Sequence, residues 1–249
     1  MIHADVLRQP RRRFADRVRG RTMLGVERRG KNVIIRLDED RVVAVNLGMT
    51  GRLLPSLDDG PAPPDSSHPA VRFRFQGGGA LVFDDTRRFG TVECLTGGEW
   101  HLRSERMGPE PLGPSFTAEG LHASLAASRS PIRSWLLDQR KVAGVGNIYA
   151  NEALHLAGIH PEQQARTVDR KGAQALHRGI RRVLQAAIDA GGTTLRDYRT
   201  AEGDPGRYAP RLLVYGRDGE PCGRCGSEVR RIVFGGRSAF FCSGCQPLD

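Results

Sequence analysis

The segment that decides the fold lies near the end of the chain and reads Cys222-Gly-Arg-Cys225, sixteen residues, then Cys242-Ser-Gly-Cys245. Two C-x₂-C pairs at this separation match the ligand spacing of a four-thiolate zinc site. The residues between the pairs form two apolar runs around Gly235-Gly236, which predicts a hairpin that brings the second pair back to the first. Two disulfides are the alternative, but no apolar signal segment or small cysteine-rich secreted fold is indicated. We expect one structural zinc per chain.

The charge of the chain indicates an anionic partner. There are 38 Lys+Arg against 28 Asp+Glu in 249 residues, a formal net charge of +10, which favours phosphate polyanions or an anionic membrane surface. No run of roughly 18 apolar residues occurs, so no membrane-spanning helix is predicted. Arginine replaces lysine almost throughout, and the remaining lysines are Lys31, Lys141 and Lys171. The fifth cysteine, Cys94, is expected to be a buried strand residue.

The hydrophobic period changes once along the chain. From Thr22 to about Thr96 it is mostly two, with β-branched runs such as Val42-Val43-Ala44-Val45, which predicts an antiparallel sandwich or barrel. The Pro-, Asp- and Ser-rich stretch from Pro55 to Pro69 is expected to be a long surface loop.

From Thr117 to Gly191 the period is 3.6, which predicts helices. Ser130 is expected to cap one helix, and Asn147 to cap another that runs to Ala157 and ends at Gly158. A longer helix that stops at Gly191-Gly192 would present one apolar stripe, formed by Leu176, Ile180, Val183, Leu184 and Ala187.

The turn before Asn147 is a candidate anion site. Gly144 and Gly146 allow a sharp turn whose free backbone N–H groups point outward, and such a helix N-terminus binds phosphate. The alternative is an ordinary corner between two helices without a ligand.

Several segments together resemble the formamidopyrimidine-DNA glycosylases. They occur in the same order as in that family and extend over nearly the whole chain. The run from Leu137 to Glu152 is similar to that family's helix–two-turn–helix, and the four cysteines to its zinc ribbon. The other matching segments are Arg28-Arg29-Gly30-Lys31, Leu47-Gly48-Met49-Thr50-Gly51, Asp85-Thr86-Arg87-Arg88-Phe89-Gly90, Gly108-Pro109-Glu110-Pro111-Leu112, Gly191-Gly192-Thr193-Thr194-Leu195-Arg196-Asp197-Tyr198 and Val214-Tyr215-Gly216-Arg217.

The resemblance implies a bacterial base-excision repair enzyme that flips an oxidised purine, such as 8-oxoguanine, out of duplex DNA. It would cut the glycosidic bond and nick the abasic strand by β,δ-elimination. We expect an α+β multidomain protein with an N-terminal antiparallel β-sandwich (1–105), a helix–two-turn–helix domain (106–211) and a C-terminal zinc ribbon (212–249). It would act as a monomer in the bacterial cytoplasm, associated with the nucleoid.

The resemblance also implies roles for individual residues. Lys31 matches the lysine that contacts the phosphate beside the lesion and assists elimination, and Arg237 matches the arginine that clamps the flanking phosphates. Met49, Arg87 and Phe89 match the side chains that fill the space left by the extruded base. Asn147 matches a phosphate-binding residue, and further backbone contacts are expected from His68, Arg129 and Arg133. Without the resemblance, Met49 and Phe89 would be assigned to a core, and Lys31 and Arg237 to a solvated surface. Gly191 and Gly192 with Thr193 to Tyr198 would begin the loop that covers an oxidised guanine.

One motif of the family does not occur in the sequence. The family begins Pro-Glu-Leu-Pro-Glu, with the proline amine as the nucleophile, whereas this sequence begins Met1-Ile2-His3-Ala4-Asp5. Either the start of the chain lies further upstream, or the protein binds damaged or abasic DNA without cutting it. A generic zinc-ribbon nucleic-acid factor explains neither the Asn147 turn nor the Arg87-Arg88-Phe89 segment.

Overall fold

The computed structural model describes residues 3–57, 66–195 and 203–248. The chain forms two compact units, Met1–Glu105 with Gly191–Arg207 and Arg106–Ala190 with Tyr208–Asp249. The second unit therefore combines most of the helical segment with the cysteine-rich segment. The division into three domains at 105/106 and 211/212 separates the cysteine-rich segment and includes Gly191–Arg207 in the helical domain, and it stays a prediction.

The first unit is an antiparallel β-sandwich, as the period of two predicts. Its strands are β1 (Met23–Arg29), β2 (Asn32–Leu37), β3 (Arg41–Asn46), β4 (Gly51–Ser56), β5 (Pro69–Arg74), β6 (Ala80–Asp85) and β7 (Thr91–Thr96). One sheet has the order β1-β2-β3-β7 and the other β4-β6-β5. Val43 and Val45 from the first sheet pack with Val71 and Phe83 from the second in one buried cluster. Cys94 lies in this cluster with no exposed surface, so the strand assignment of that cysteine is confirmed.

Two helices of the first unit were not predicted. Helix α1 (Arg11–Val18) precedes the sheets, and α2 (Gly97–Glu105) follows β7. Helix α1 begins with three arginines and buries only Phe14, so its sequence shows little of the apolar stripe that predicts a helix. Residues 58–65 of the predicted loop between Pro55 and Pro69 lie outside the described part of the chain.

The second unit contains four helices: α3 (Ala118–Ala126), α4 (Ile132–Leu137), α5 (Asn147–Ala157) and α6 (Arg170–Asp189). Three of the five predicted stripe residues in α6, Leu176, Ile180 and Val183, are buried in the same cluster as Ile132, Trp135 and Leu154. Gly158 ends α5 in the left-handed conformation with φ of 69°, as predicted, because glycine lacks the Cβ that disfavours it.

The predicted N-caps are wrong by one residue. Pro131, not Ser130, precedes α4, and Gly146, not Asn147, precedes α5 without a side-chain cap. The capping side chains in this unit are Thr117, which accepts from Gly120 N, and Asp169, which accepts from Gly172 N. Asn147 is therefore available for other contacts.

The cysteine-rich segment forms the predicted hairpin of β8 (Val229–Phe234) and β9 (Arg237–Cys242). Phe234 pairs with Arg237 across the Gly235-Gly236 turn, where both glycines have positive φ. Such a two-residue turn matches the twist of the flanking strands and needs residues that tolerate positive φ. Among the described residues, no helix combines the length and apolar character needed to cross a bilayer.

Candidate nucleic-acid interface and zinc site

The four cysteine sulfurs lie together as a metal site requires. Cys222, Cys225, Cys242 and Cys245 place their Sγ atoms within 4.8 Å of one another. The Cys225–Cys242 and Cys222–Cys245 separations are 3.4 and 4.0 Å. Four thiolates at about 2.3 Å from a tetrahedral zinc would have sulfurs about 3.8 Å apart. All four are free thiols, so the donor set fits zinc and the disulfide alternative is not supported.

Groups from α5 and the chain end surround the cysteines. His155 Nε2 lies 3.9 Å from Cys222 Sγ, and His155 Nδ1 lies 3.2 Å from Gln246 Oε1. Gln246 Oε1 also accepts from the backbone N–H of Cys242 at 3.0 Å. Hydrogen bonds with Ser227 lower the pKa of the Cys225 thiol to about 6, whereas burial raises the pKa of the Cys242 and Cys245 thiols. A bound metal would have to deprotonate those two cysteines, because metal ligands must be thiolates.

The turn before α5 is organised by one side chain. Gln139 Oε1 accepts from Gly144 N at 2.8 Å, and its Nε2 donates to Val145 O at 3.0 Å. Asn147, the first residue of α5, is half-buried. Its Nδ2 donates to Ser238 O in β9 at 3.2 Å, so the predicted phosphate-binding residue is tied directly to the hairpin.

Arg133 lies beneath this surface rather than on it. It is 1% exposed, and its Nη2 donates to Asn147 Oδ1 and to Ser238 O, both at 2.7 Å. Its guanidinium lies 4.7 Å from the centre of the Phe234 ring. Burial, and then the charge of Arg237, lower its pKa. In this structure Arg133 therefore joins α5 to the hairpin and has almost no surface available for the DNA backbone contact predicted for it.

The other predicted contacts of this unit are exposed. Arg237 follows the hairpin turn, and Arg129 lies between α3 and α4. The charge of Arg237 acts on Arg133, which places Arg237 close to the Arg133–Asn147 pair. The structure thus brings Asn147, Arg133 and Arg237 together at one end of the hairpin.

The sequence predicts no role for Glu152, a buried residue of α5. Its carboxylate has no exposed surface and accepts from the backbone N–H groups of Leu213, Val214 and Tyr215 at 2.7 to 3.0 Å. It therefore fixes the segment that leads into the cysteine-rich region onto α5. The sequence signal for such a role is an acidic residue on an otherwise apolar helix face.

The three predicted gap-filling residues lie at loop tips of the first unit. Met49, between β3 and β4, is 64% exposed, and Phe89, between β6 and β7, is 59% exposed. The Arg87 guanidinium lies 4.6 Å from the centre of the Phe89 ring. The alternative that Met49 and Phe89 belong to a core is excluded by their exposure.

His68 and Lys31 are exposed on the same unit. The backbone N–H of His68 donates to Asp84 Oδ1 at 2.6 Å, and its Nδ1 lies 2.9 Å from Ser67 Oγ. Lys31 lies in the two-residue turn between β1 and β2, since Arg29 pairs with Asn32. Of the predicted covering loop, residues 196–198 lie outside the described part of the chain. Its first residues are held by an isolated bridge from Thr193 to Arg207.

Family models match three parts of the chain. Residues 1–92 match the formamidopyrimidine-DNA glycosylase N-terminal domain, 107–199 its H2TH domain, and 219–248 the zinc finger found in FPG and IleRS. With the clustered thiols, the last match shows that the cofactor is one structural zinc.

Similar proteins extend over most of the chain. A formamidopyrimidine-DNA glycosylase of Synechocystis sp. is 42% identical over 244 residues, which cover 94% of this chain and 84% of that protein. One of Syntrophotalea carbinolica is 41% identical, with 98% and 92% covered. The MutM (FPG) protein of Thermus thermophilus has a TM-score of 0.85 at 38% identity, with 100% and 90% covered. Lactococcus lactis Fpg in complex with abasic-site DNA has a TM-score of 0.88 at 33% identity, with 99% and 90% covered.

Proposed function

The chain belongs to the formamidopyrimidine-DNA glycosylase family, and on that premise we propose that it removes oxidised purines from duplex DNA and nicks the resulting abasic site. Its substrate is damaged double-stranded DNA, and its reaction class is that of a base-excision repair glycosylase. The finer assignments, which are 8-oxoguanine and formamidopyrimidines as lesions and β,δ-elimination as the cleavage step, are part of the proposal. So are the monomeric state and a place in the bacterial cytoplasm at the nucleoid.

The observation that carries the proposal is the exposure of Met49 and Phe89 beside Arg87. Large apolar side chains exposed at 64% and 59% gain nothing from the hydrophobic effect in the free protein. Inserted into a base stack, they would occupy the space of an extruded nucleotide and offset the lost stacking. Arg87, which already lies over the Phe89 ring, would enter with them.

The second unit supplies phosphate contacts in this proposal. Asn147 and Arg237 would bind the strand that carries the lesion, and Arg133 would hold Asn147 in place from below. The exposed Arg129 would add a further backbone contact, as His68 and Lys31 would from the first unit. Backbone contacts of this kind position a protein on DNA without reading its sequence.

The chemical step requires an amine that attacks the sugar C1′ while the bond from C1′ to the base nitrogen breaks and the base leaves with a proton. In the family this amine belongs to the proline of Pro-Glu-Leu-Pro-Glu, and the printed sequence does not contain that motif. Lys31 is proposed to contact the phosphate next to the lesion and to assist elimination. Lysine can exchange a proton near neutral pH when its pKa is lowered, whereas arginine remains charged.

The binding test uses a duplex with a tetrahydrofuran abasic analogue and an undamaged duplex of the same sequence. Wild type should prefer the analogue, with affinity that falls steeply as salt rises because phosphate contacts release counterions. Asn147→Ala and Arg237→Ala should each weaken this binding by roughly tenfold, which corresponds to about 1.4 kcal/mol. Arg178→Ala, which removes an exposed arginine on α6 of the same unit, serves as the charge-matched control.

The chemistry test compares the printed sequence with the same sequence preceded by an N-terminal extension that begins Pro-Glu-Leu-Pro-Glu. The extended protein should excise 8-oxoguanine and form a borohydride-trapped adduct, and Lys31→Ala should lower its rate more than its affinity. A protein with the printed sequence alone should show neither activity, because it does not contain the proline amine of that motif. Another amine would be misplaced, and a misplacement of about 1 Å can cost about 100-fold in rate. Binding without excision by the extended protein would instead establish a damaged-DNA or abasic-site binding protein.

A further inference from the structure

The segments that carry Met49 and Phe89 are far apart in sequence, but one buried carboxylate joins them. Asp85, the last residue of β6, has no exposed surface. Its Oδ1 accepts from the Thr50 hydroxyl at 2.5 Å, and its Oδ2 accepts from the backbone N–H of Gly90 at 2.8 Å. Thr50 follows Met49 and Gly90 follows Phe89, so each tip is anchored one residue from its apolar side chain.

Thr50 extends this connection to the third residue. Its hydroxyl oxygen accepts a hydrogen bond from the backbone N–H of Arg87 at 3.1 Å, while the hydroxyl itself donates a hydrogen bond to Asp85. The hydroxyl of Thr50, a residue 7% exposed, is thus both acceptor and donor. The backbone of Arg87, and the backbone next to Met49 and Phe89, are therefore held by the same two buried side chains.

The two segments also touch through their backbones. Gly48 has φ of +64°, and a Cβ at this position would lie 2.7 Å from Gly90 N and 2.9 Å from Phe89 C. A side chain there would force the segments apart, because real Cβ atoms do not approach other atoms so closely. Strand pairing of Gly51 with Asp85 and of Asn46 with Thr91 joins the ends of the two segments. The backbone contact and the Asp85 hydrogen bonds join them between those ends.

A carboxylate suits this position because it only accepts hydrogen bonds. Both groups that face Asp85, the Thr50 hydroxyl and the Gly90 amide, can donate. A buried charge is tolerated when hydrogen bonds satisfy it. An asparagine would turn an NH₂ group towards one of the two donors and would lose that link.

We propose that Asp85, acting through Thr50, is a positioning residue that locks the 47–50 and 86–90 segments into one preformed wedge for insertion into damaged DNA. This inference rests on the proposed function. A wedge that is already ordered loses less conformational entropy when it inserts than two independently mobile loops. Asp85 would therefore affect insertion itself, without touching the DNA.

The experiment measures insertion separately from binding. A duplex carries the tetrahydrofuran analogue opposite 2-aminopurine, whose fluorescence reports stacking next to the vacated space. Thr50→Val removes the hydroxyl and keeps the shape, whereas Thr50→Ser restores the hydroxyl. Ile34→Ala, at a fully buried position of the same sandwich, destabilises the unit from a separate cluster that contains no residue of either segment. Thermal unfolding of all variants ranks their stability.

Thr50→Val should slow the insertion phase by about tenfold, with affinity for undamaged duplex within about twofold of wild type. Thr50→Ser should restore the wild-type rate, and Ile34→Ala should keep it despite its lower stability. Normal insertion by Thr50→Val, or equal loss in Ile34→Ala, would overturn the inference alone. A wild type that does not distinguish abasic from undamaged duplex would overturn the proposed function and the inference with it.

Discussion

The sandwich and the zinc ribbon both present side chains that are proposed to contact DNA, but they obtain rigidity differently. The sandwich encloses a cluster of eleven buried residues that draws on both sheets and α1. The ribbon cluster has five, and two of these are the zinc ligands Cys222 and Cys242. A core this small cannot offset the entropy of ordering the chain, whereas a structural metal can. The difference in core size explains why the ribbon, and not the sandwich, depends on a metal site.

The two regions also use buried charge of opposite sign. In the sandwich, the Asp85 carboxylate accepts hydrogen bonds from the segments that carry Met49 and Phe89. In the second unit, the Arg133 guanidinium donates to Asn147 and to the hairpin. Each charge connects segments distant in sequence, and each would leave unpaired polar groups if removed. Exposed loops are thus fixed by buried polar groups in both regions.

Removing the metal should have the largest effect on folding, and it should unfold the ribbon while the sandwich stays folded. Cys242→Ser, or a strong chelator, should unfold the ribbon, because zinc contributes about 10–16 kcal/mol to the folding of small zinc modules. Trypsin should then cut at Arg230 and Arg231 while the sandwich remains resistant. Metal analysis, proteolysis and abasic-duplex binding measure the three consequences.

Cys94→Ala provides the control for that experiment. This cysteine is also fully buried but lies in the sandwich, so the variant should lose stability there and still bind one zinc per chain. Zinc-free wild-type protein with two disulfides would refute the metal site. If the ribbon resisted trypsin after metal removal, its small core would be stable without zinc and the explanation from core size would be wrong.

Arg133→Met should have the next largest effect. It removes the charged donor of Asn147 Oδ1 and of Ser238 O, although Ser238 O keeps the hydrogen bond from Asn147 Nδ2. Because one unsatisfied buried group costs about 1–3 kcal/mol, we expect a loss of about 2–3 kcal/mol in the free energy of unfolding. It is measured in urea by the fluorescence of buried Trp135, with the other tryptophan, Trp100, replaced by Phe in both proteins. Abasic-duplex affinity should fall as well, since Asn147 loses its support.

The matched control is Arg129→Met, which makes the same change at an exposed position of the same unit. Its stability should stay within about 0.5 kcal/mol of wild type, with weaker binding at low salt only. Equal stability of the two variants would show that the buried guanidinium does not hold the hairpin to α5.

Phe89→Ala should have the smallest effect on the folded protein. Because Phe89 is 59% exposed, stability should change by less than about 0.5 kcal/mol. Affinity for the abasic duplex should fall by about 1 kcal/mol, the lower end for loss of one aromatic–base stacking contact. Leu102→Ala, at a residue 61% exposed on α2, should change neither quantity. If Phe89→Ala bound the abasic duplex with unchanged affinity, Phe89 would not be one of the inserting side chains.

Local chemistry explains which predictions succeeded. The Cys222 to Cys245 spacing, the Gly235-Gly236 turn and the Gly158 helix end each depend on a few neighbouring residues, and all three are confirmed. The N-caps of α4 and α5 were misplaced by one residue, the first too early and the second too late, because several polar and small residues adjoin each start. Helices α1 and α2 were missed because their sequences bury little apolar surface.

The sequence by itself determined the zinc ligands and the sandwich and helical periods, because each is written in residue type and spacing. The residues proposed to contact DNA were predicted only from the family resemblance, and the exposure of Met49 and Phe89 was seen only in the structure. Only the tertiary structure decided that Arg133 is buried under Asn147 and that Asp85 joins the segments carrying Met49 and Phe89. In sequence, a buried arginine or aspartate looks the same as a solvated one. What distinguishes them is the set of donors and acceptors that distant segments bring to them, and folding alone assembles that set.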